Sequence, residues 1–441
     1  MEPAGPLKSS LRVKATLPWL AGPGAERFAE TLAKARAKLK RKSGRGPVVV
    51  AAENTADFLA GVWAAREENR TIVLANPRWG VVERVQAAAQ MAPGLWLGDR
   101  SARWPKSRPD FEFKTQAWSG MIFIPTGGSG GRVRWAMHTW VSLSLAARAL
   151  AKFLDAAGCT HVGLLPPWHI GGLMPAVRAL ETGGTLWLED WRRIEAGHAP
   201  ATPPERALVS LVPTQLQRVL THRRVITWLR QTRAILLGGA AASPALLERA
   251  RQLRLPIVLA YGMTETAAVV ATQTPADFLA GQPPVVSPLL HAKIWVGDDT
   301  GRRLPRGRPG RVWIETESLF AGYFPARRKP GPWGTEDRGV LDARGRLRIL
   351  GRLDRVINTG GEKVHPEEME KHIRATGLVE EVKIIGLPDV EWGERVAAIY
   401  TGKKRADKKL RAALRGRLAA HALPKVWMHA ASLETSSAKN F

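Results

Sequence analysis

Short apolar runs alternate with segments of helical apolar spacing over the first two thirds of this 441-residue chain. The apolar runs have strand character and lie at 47–51, 71–75, 121–124, 160–165, 185–188, 208–212, 234–237 and 256–259. Helical spacing occurs at 25–42, 55–68, 81–91, 140–154 and 173–181. Strands that alternate with helices predict an α/β fold with layered parallel sheets.

The pattern changes after about residue 285, where the helical segments disappear. Short strand candidates at 292–296, 312–315 and 347–350 are separated by Gly, Pro and Asp, which predicts a small β subdomain. Beyond residue 351 the order is helix (366–375), strands (382–386 and 395–400), helix (408–418) and a final strand. We therefore predict a large N-terminal domain over 1–352, with its β subdomain at 285–350, and a small mobile α+β domain over 353–441.

Composition places the chain among globular proteins, with 45% apolar and 24% charged residues. Cys159 is the single cysteine, so neither a disulfide within the chain nor a cysteine metal cluster can form, as is typical of a reducing cytoplasm. The sequence contains no apolar run near the ~18 residues of a membrane span. The first residues lack a basic start before an apolar core, so we expect no signal peptide.

The balance of charge is strongly basic. Lys plus Arg is 66 and Asp plus Glu is 39, which gives 66 − 39 = +27. This charge favours anionic partners such as nucleotides, phosphates, nucleic acid or anionic lipid. Dense basic patches at 34–45 and 403–417 are interpreted as solvated helix faces, because the sequence has no aromatic platform or zinc-finger spacing for specific nucleic-acid binding. No feature of the pattern predicts an oligomeric state.

One glycine-rich loop lies between the strand at 121–124 and the helix at 140–154. It consists of Thr126, Gly127, Gly128, Ser129, Gly130 and Gly131. Its backbone amides are free to turn towards an anion, and Arg132 and Arg134 follow directly. Two interpretations stay open for the loop alone: a mobile phosphate-holding loop, or a surface turn between a strand and a helix.

Two further segments follow predicted strands. Trp168 and His169 come just after one strand, where α/β folds bind ligands, although a histidine packed under a loop is an alternative. Gly238 and Gly239 end another strand. Glycine there lets a flat ligand approach the backbone, although the pair taken alone favours an ordinary tight turn.

A third segment, Tyr261–Thr266, also follows an apolar strand. Thr264 could hydrogen-bond a phosphate, and the carboxylate of Glu265 could hold Mg²⁺, which prefers oxygen ligands. A structural role is compatible with this, with Thr264 as the N-cap of a helix and Glu265 in its first turn.

Two motifs near the C-terminus have their own chemistry. The carboxylate of Asp337 can accept two hydrogen bonds from ribose hydroxyls, and Arg352 could reinforce that contact. Gly360 and Gly361 form a turn that leads into a helix with acidic first-turn residues. Structurally this is a capped turn, and functionally it could place backbone against an extended thiol arm.

Together these segments resemble the adenylate-forming superfamily of acyl-CoA synthetases, luciferases and peptide-synthetase adenylation domains. The resemblance runs from about Met121 to the end of the chain and includes five motifs in the family's order. Neither a Walker A nor a dinucleotide-binding glycine pattern fits the loop. Within the superfamily, 124–129 and 210–216 are most similar to o-succinylbenzoate–CoA ligases of menaquinone and phylloquinone synthesis.

The resemblance implies a two-step reaction that uses ATP, Mg²⁺ and coenzyme A. A carboxylate attacks the α-phosphate of ATP to give an acyl-adenylate and pyrophosphate, and the coenzyme A thiol then displaces AMP. It implies an aromatic carboxylic acid as substrate. The alternatives are another aryl- or acyl-CoA ligase and a non-catalytic relative that binds nucleotides or other polyanions.

The resemblance also implies a role for each matched residue. In the first step Lys439 contacts the carboxylate and the α-phosphate, where a fixed cation offsets repulsion between two anions. The catalytic set is completed by His169, Thr264 and Glu265. Nucleotide contacts fall to the glycine loop, which covers the β- and γ-phosphates, and to Arg134, Gly239, Tyr261, Gly262, Asp337 and Arg352. Substrate contacts fall to His169, Thr214, Gly238 and Gly262.

The second step is expected to follow a swing of the small domain about a hinge at Asp354, which brings Gly360 and Gly361 to the coenzyme A channel. The chain departs from the family pattern in a few places. Arg134 replaces the loop lysine, and an arginine contacts phosphate differently. Glu336 stands where glycine is usual, and Ala267-Ala268 stands where close relatives often have Ser-Gln.

Overall fold

The computed structural model describes most of the chain. The described residues are 19–42, 46–106, 108–111, 113, 115–127, 132–201, 204, 206–359, 362–390, 392–404, 406–415, 418, 422–431 and 433. They fall into two compact units, a first unit (Met1–Lys293 and Glu315–Gly331) and a second unit (Ile294–Ile314 and Pro332–Phe441).

Helices and strands alternate through the first unit. The elements up to residue 153 are β1 (Leu20–Ala21), α1 (Arg27–Arg41), β2 (Val48–Ala51), α2 (Thr55–Glu67), β3 (Ile72–Leu74), α3 (Val81–Gln90), β4 (Leu95–Gly98), α4 (Thr115–Trp118), β5 (Met121–Gly127), β6 (Val133–Thr139) and α5 (Trp140–Phe153). The next are β7 (Thr160–Gly163), α6 (Ile170–Thr182), β8 (Thr185–Leu188), α7 (Trp191–Glu195), β9 (Leu208–Leu211), α8 (Pro213–Val219), α9 (Arg223–Gln231), β10 (Ala234–Leu237), α10 (Pro244–Gln252), β11 (Ile257–Met263), β12 (Ala268–Thr272), α11 (Pro275–Leu279) and β13 (Ser287–Pro288).

The remaining elements are mainly strands. They are β14 (Ala292–Gly297), β15 (Gly310–Thr316), β16 (Trp333–Leu341), β17 (Leu347–Arg352), β18 (Ile357–Thr359), β19 (Glu362–Val364), α12 (Pro366–Arg374), β20 (Val382–Asp389), β21 (Gly393–Tyr400), α13 (Asp407–Leu414) and β22 (Val426–His429). Short 3₁₀ turns lie at Arg100–Ala102, Thr264–Thr266 and Leu353–Arg355.

The first unit contains two largely parallel sheets, as the alternating pattern predicts. One has five strands in the order β4-β2-β3-β5-β6, parallel except for β6. The other has eight strands in the order β1-β8-β7-β9-β10-β11-β12-β13, parallel as far as β11. A single hydrophobic cluster joins α1, α2, α5 and α6 to strands of both sheets, so the helices form a layer between them.

Helix α1 shows how the basic patches fit this core. Phe28, Leu32, Ala35 and Leu39 recur at helical spacing and are buried. The positive charges lie on the opposite face, where Lys34 pairs with Glu30 at 2.5 Å. The described part of the 34–45 patch is therefore the solvated face of an amphipathic helix, as predicted.

A tryptophan cluster covers the outer face of the five-stranded sheet. Trp135 on β6 packs against Trp79 and Trp104, with ring centroids 5.6 and 5.8 Å apart, and Trp104 also contacts Trp96. Trp135 is fully buried. Aromatic pairs at these distances add to the free energy of burial, and here they fix the strand that follows the glycine loop.

The second unit is built mainly on antiparallel pairs, with β22 parallel to β21. Strands β14-β15-β16-β17 form one sheet, and β19-β18-β21-β20 with β22 form another. Ile373 of α12 and Leu410 and Leu414 of α13 are fully buried in one core with Ile384 of β20. The sheet β14–β17 thus groups with the C-terminal residues, whereas the sequence suggests a β subdomain of the N-terminal domain; the boundary at residue 352 stays a prediction.

Two local predictions are wrong. The glycine loop does not connect a strand to a helix, because β5 and β6 pair as an antiparallel hairpin with Thr126 opposite Arg134. Thr264 is not the N-cap of a helix, because Met263 precedes a single 3₁₀ turn that runs into β12. In both places an antiparallel strand follows the motif. Polar residues interrupt the apolar pattern of β6, whereas β12 is a short apolar segment directly after the motif.

Candidate functional site

The candidate substrate residues converge on one edge of the eight-stranded sheet. Strands β7, β9, β10 and β11 are parallel neighbours, so the residues that follow them lie at the same carboxyl edge. The substrate candidates His169, Thr214 and Gly238 and the nucleotide candidate Gly239 follow these strands, while the candidates Tyr261 and Gly262 lie in the last part of β11 itself. Ligands of open α/β sheets bind at this edge, so the topology brings together segments that are nearly a hundred residues apart in sequence.

His169 is placed there by the start of α6. It is the N-cap residue of that helix, and its side chain is exposed. Gly172 lets the helix begin close to the preceding loop, because a Cβ at that position would lie 2.1 Å from the carbonyl oxygen of Pro166. Trp168 is 3% exposed and packs in the core, with its ring centroid 6.2 Å from that of His169. The tryptophan anchors the loop, and the histidine is not packed beneath it.

The end of β11 depends on one glycine. A Cβ at Gly262 would lie 1.8 Å from the carbonyl oxygen of Ala268, so no other residue fits without moving the backbone. The turn beyond it is tight, since Ala267 and Ala268 have φ angles of 55° and 77°. Alanine in this left-handed region costs about 1 kcal/mol each. The buried hydroxyl of Thr266 donates to the Ala268 carbonyl oxygen at 2.6 Å and holds the turn.

Glu265 is buried and is linked through Tyr323 to Arg134 on β6, the strand that follows the glycine loop. Its carboxylate is largely shielded from water (the residue is 6% exposed) and accepts a hydrogen bond from the hydroxyl of Tyr323. The guanidinium of Arg134 lies over the Tyr323 ring, 4.4 Å from its centroid. The ring of Tyr323 thus lies between Arg134 and Glu265, the candidate metal ligand, and contacts both.

His138 is a second residue that the sequence does not single out. It is 1% exposed, and its Nε2 donates to the backbone oxygen of Thr264 at 2.7 Å, while Nδ1 lies 3.0 Å from Ser142 Oγ. Burial lowers its pKa to about 4, so the ring is neutral at pH 7. His138 therefore fixes the backbone at Thr264. Its place after Trp135, Ala136 and Met137 of β6 gives no signal of this contact.

A magnesium ion would find one protein carboxylate here. No group of three or more His, Cys, Asp or Glu side chains with metal-ligand geometry occurs in the described part of the chain. Magnesium bound to nucleotides commonly takes only one or two carboxylates, with phosphate oxygens and water completing the shell. The buried carboxylate of Glu265 fits that role.

The candidate ribose residues lie in the second unit, on paired strands. Asp337 of β16 stands opposite Arg352 of β17, and their side chains approach to 3.4 Å. Asp337 is 8% exposed, and its backbone N–H donates to Thr335 Oγ1 at 3.1 Å. The strand thus presents the carboxylate from a buried, hydrogen-bonded position.

Arg352 makes its shorter contacts with the predicted hinge residue. Its Nε and Nη2 donate to the two carboxylate oxygens of Asp354 at 2.7 and 2.6 Å. The hydrogen bonds to Asp354, and then the charges of Asp337 and Asp354, raise the pKa of Arg352 above its usual range. The guanidinium is held mainly by Asp354, and Asp337 is its weaker partner.

The position of Glu336 on β16 explains how glutamate can stand where the family usually has glycine. Residues alternate across β16, so Thr335 and Asp337 point inward and Glu336 outward. Arg311 contacts Glu336 at 3.2 Å and also donates to the Thr335 carbonyl oxygen at 2.7 Å. A side chain in place of glycine is therefore accommodated on the exposed face.

Several predicted site residues lie outside the described residues. They are Gly128, Ser129, Gly130, Gly131, Gly360, Gly361 and Lys439. Their roles stay predictions. Among the described residues, no helix is both long enough and apolar enough to span a bilayer.

Comparison with known proteins identifies a family. Residues 84–324 match the model of the AMP-binding enzyme family. The 2-succinylbenzoate–CoA ligase of Salmonella typhimurium is 31% identical over 311 residues, which are 69% of this chain and 63% of that protein. The enzyme of the same name from Escherichia coli is 32% identical over 281 residues, 62% of this chain and 57% of that protein. The matched regions thus span about three fifths of these relatives' length.

The fold also matches solved structures. The o-succinylbenzoate CoA synthetase of Bacillus subtilis, in complex with its acyl-adenylate intermediate, superposes with a TM-score of 0.76. The superposition covers 92% of this chain and 89% of that one, at 22% identity. At this identity the match supports the fold, including a large N-terminal and a smaller C-terminal part.

Proposed function

The chain belongs to the AMP-binding enzyme family, and from this premise we propose that it is an ATP-dependent, AMP-forming acid–CoA ligase. Its proposed acid is 2-succinylbenzoate, which it converts to 2-succinylbenzoyl-CoA through an acyl-adenylate, a step of menaquinone or phylloquinone biosynthesis. The main support is the relatives of that name at 31% and 32% identity. ATP and coenzyme A are cytoplasmic metabolites, so the proposal places the reaction in the cytoplasm.

The first step joins the acid to AMP. A carboxylate oxygen of the acid attacks the α-phosphorus of ATP, the bond to the β-phosphate oxygen breaks, and pyrophosphate leaves. We assign Thr264 and the glycine loop to the phosphates and Lys439 to the charge shared by the acid and the α-phosphate. Glu265 would hold Mg²⁺, which neutralises phosphate charge. His169, exposed at the carboxyl edge, would face the acid.

The second step transfers the acyl group. The thiol sulfur of coenzyme A attacks the acyl carbon, the bond to the AMP oxygen breaks, and the thiol proton leaves to solvent. We assign Gly360 and Gly361 to the thiol arm and Asp354 to the hinge. The two hydrogen bonds from Arg352 to the carboxylate of Asp354 support a hinge assignment. The two residues are only two positions apart, so their contact can be kept while the backbone rotates locally.

The test is release of pyrophosphate by the purified protein with a panel of acids: 2-succinylbenzoate, benzoate, a fatty acid and a small dicarboxylate. Release only with 2-succinylbenzoate is expected. Equal turnover of another acid would reject the substrate and keep the reaction class. Ala267 and Ala268 stand next to the carboxyl edge, where close relatives often have Ser-Gln, so this chain lacks two polar side chains at that position. Other aryl acids are therefore the first alternatives to test.

Exchange between labelled pyrophosphate and ATP separates catalysis from simple binding. An active ligase exchanges the label in the presence of its acid and without coenzyme A. A chain that binds ATP but shows no exchange with any acid of the panel would be a non-catalytic nucleotide-binding relative. Glu265→Gln, which keeps the hydrogen bond to Tyr323 and removes the charge, is the matched inactive control.

A further inference from the structure

A basic cavity lies in the first unit among side chains to which the proposed reaction gives no role. Its volume is about 640 Å³, within the range of pockets that bind small molecules. Arg193, His198, Arg223, Arg224 and Thr227 provide its polar lining. Three guanidinium groups around one cavity are an arrangement suited to a ligand with more than one negative charge.

The packing beneath anchors the backbone that carries these arginines, whose side chains are exposed. Ile194, next to Arg193 on α7, and Val225 and Ile226, next to Arg224 on α9, are buried in the same hydrophobic cluster. Since their neighbours point into the core, the arginines point outward from two helices that share that core. The cavity is thus lined by α7, α9 and the loop segment 198–201.

The charge of the cavity is poorly neutralised by the protein. Among the described residues, no carboxylate forms an ion pair with Arg223 or Arg224, and Arg193 has only Glu189, at 4.0 Å. The nearby Glu195 is engaged with Arg218 at 2.9 Å, and Asp190 accepts the backbone N–H of Arg192. Arg223 and Arg224 also stand in the first turn of α9, where the helix dipole disfavours cations.

We propose that this cavity binds a phosphorylated small molecule through Arg193, Arg223 and Arg224. Guanidinium groups form two parallel hydrogen bonds with a phosphate, and several of them can bind two phosphate groups at once. A concave site favours a small molecule over the extended backbone of a nucleic acid. Inorganic pyrophosphate, a nucleotide and the phosphorylated end of coenzyme A share this chemistry.

The test is direct binding of pyrophosphate, ATP, coenzyme A and dephospho-coenzyme A to the full-length protein by calorimetry. The variant is Arg223→Ala with Arg224→Ala, and the matched control is Arg192→Ala, an exposed neighbour on α7 that does not line the cavity. We expect the double variant to bind at least one of these ligands about tenfold more weakly, whereas the control stays within twofold of the wild type. Loss for coenzyme A but not for dephospho-coenzyme A would identify the 3′-phosphate as the recognised group.

A second variant distinguishes a binding role from a structural one. Arg224→Glu places an anion at the N-terminus of α9, so the melting temperature should rise or stay unchanged while the affinity for the ligand falls. Unchanged affinity for all four ligands in both variants would overturn the proposal. The proposal would also be overturned if the variants lost affinity only for a single-stranded oligonucleotide, tested as a fifth ligand. Because binding is measured without turnover, these results do not depend on the proposed ligase activity.

Discussion

Glu265 in the first unit and Arg352 in the second are both charged candidate site residues, but they are held by different contacts. Glu265 is buried, and its neighbours are the phenol of Tyr323 and the backbone turn that His138 fixes. Arg352 is 44% exposed and is held by the carboxylates of Asp354 and Asp337. One site depends on packed neutral groups, and the other on ion pairs that water and salt can reach.

This difference indicates different mobility for the two sets of residues. Buried hydrogen bonds are little screened and are costly to break without a replacement. Exposed ion pairs contribute at most about 1 kcal/mol and can exchange partners. For the proposed reaction, we expect a preformed phosphate and metal site in the first unit and side chains that rearrange between the two half-reactions in the second. The following predictions test that contrast.

The largest expected effect concerns the division of the half-reactions. Lys439→Ala should slow adenylate formation by on the order of 10²–10³, the scale of losing one preorganised charge. Thioester formation from synthetic acyl-adenylate should be spared. Single-turnover assays of each half-reaction measure both rates. An equal loss in the two steps would contradict a separate role for the C-terminal residues.

Rigidity of the first unit is tested at Gly262. Gly262→Ala should lower the free energy of unfolding by about 3 kcal/mol, because the new methyl group overlaps the Ala268 backbone. Urea unfolding gives the value. Gly158→Ala is the contrasting control, since Gly158 has a left-handed φ of +72° and no atom within 4 Å of the added Cβ, whereas Gly262 has only the close approach. A loss at Gly262 no larger than that at Gly158 would mean that the close approach costs little.

Acid should weaken the first unit through His138. The pKa of His138 is about 4 in the folded protein and about 6.5 when unfolded. Its contribution to the free energy of unfolding is therefore present above pH 6.5 and is lost as the pH falls towards 4. Between pH 7 and pH 5 this amounts to about 2 kcal/mol. His138→Gln should remove that part of the pH dependence of unfolding. A variant with the slope of the wild type would show that other groups are responsible.

The contact between Tyr323 and Glu265 should matter for Mg²⁺. Tyr323→Phe removes a hydrogen bond to a charged group, about 1.5 kcal/mol, so the affinity for ATP with Mg²⁺ should fall about tenfold. Affinity for ATP without the metal should change less. Calorimetry with and without Mg²⁺ separates the two. Tyr400→Phe, which loses a hydrogen bond in the second unit, is the control and should leave both affinities unchanged.

The smallest effect is expected for the exposed ion pairs. Arg352→Lys removes the two-point contact with Asp354 and should change the free energy of unfolding by less than about 1 kcal/mol. The small difference should shrink further in 0.5 M salt, which is measured by unfolding at two ionic strengths. A loss of several kcal/mol that persists in salt would show that the two sites are held alike.

The sequence was most informative where strands are buried on both faces. The parallel strands β2, β3, β9 and β10 are short buried runs, mainly apolar, and they were predicted within a few residues. Strands β6 and β16 were missed because each pairs in an antiparallel sheet and carries charged residues, such as Arg134 and Asp337, on its length. Propensity in such strands depends on partners elsewhere in the chain.

The candidate site shows the same division. Motif residues such as Glu265 and His169 were found because glycine and apolar residues around them form local patterns. Tyr323 and His138 were missed because their contacts with Glu265 and Thr264 join residues 58 and 126 positions apart. No local pattern contains such a pair, and only the folded chain shows it.

The tryptophan cluster behind the glycine loop gives the protein an intrinsic optical probe. Trp135 lies on the strand that leaves the loop, and its ring contacts Trp79 and Trp104. Emission from such a group of indoles depends on small changes in their separation and shielding. Ligand binding that shifts β6 can therefore be followed by intrinsic fluorescence in a stopped-flow experiment, without attaching a dye.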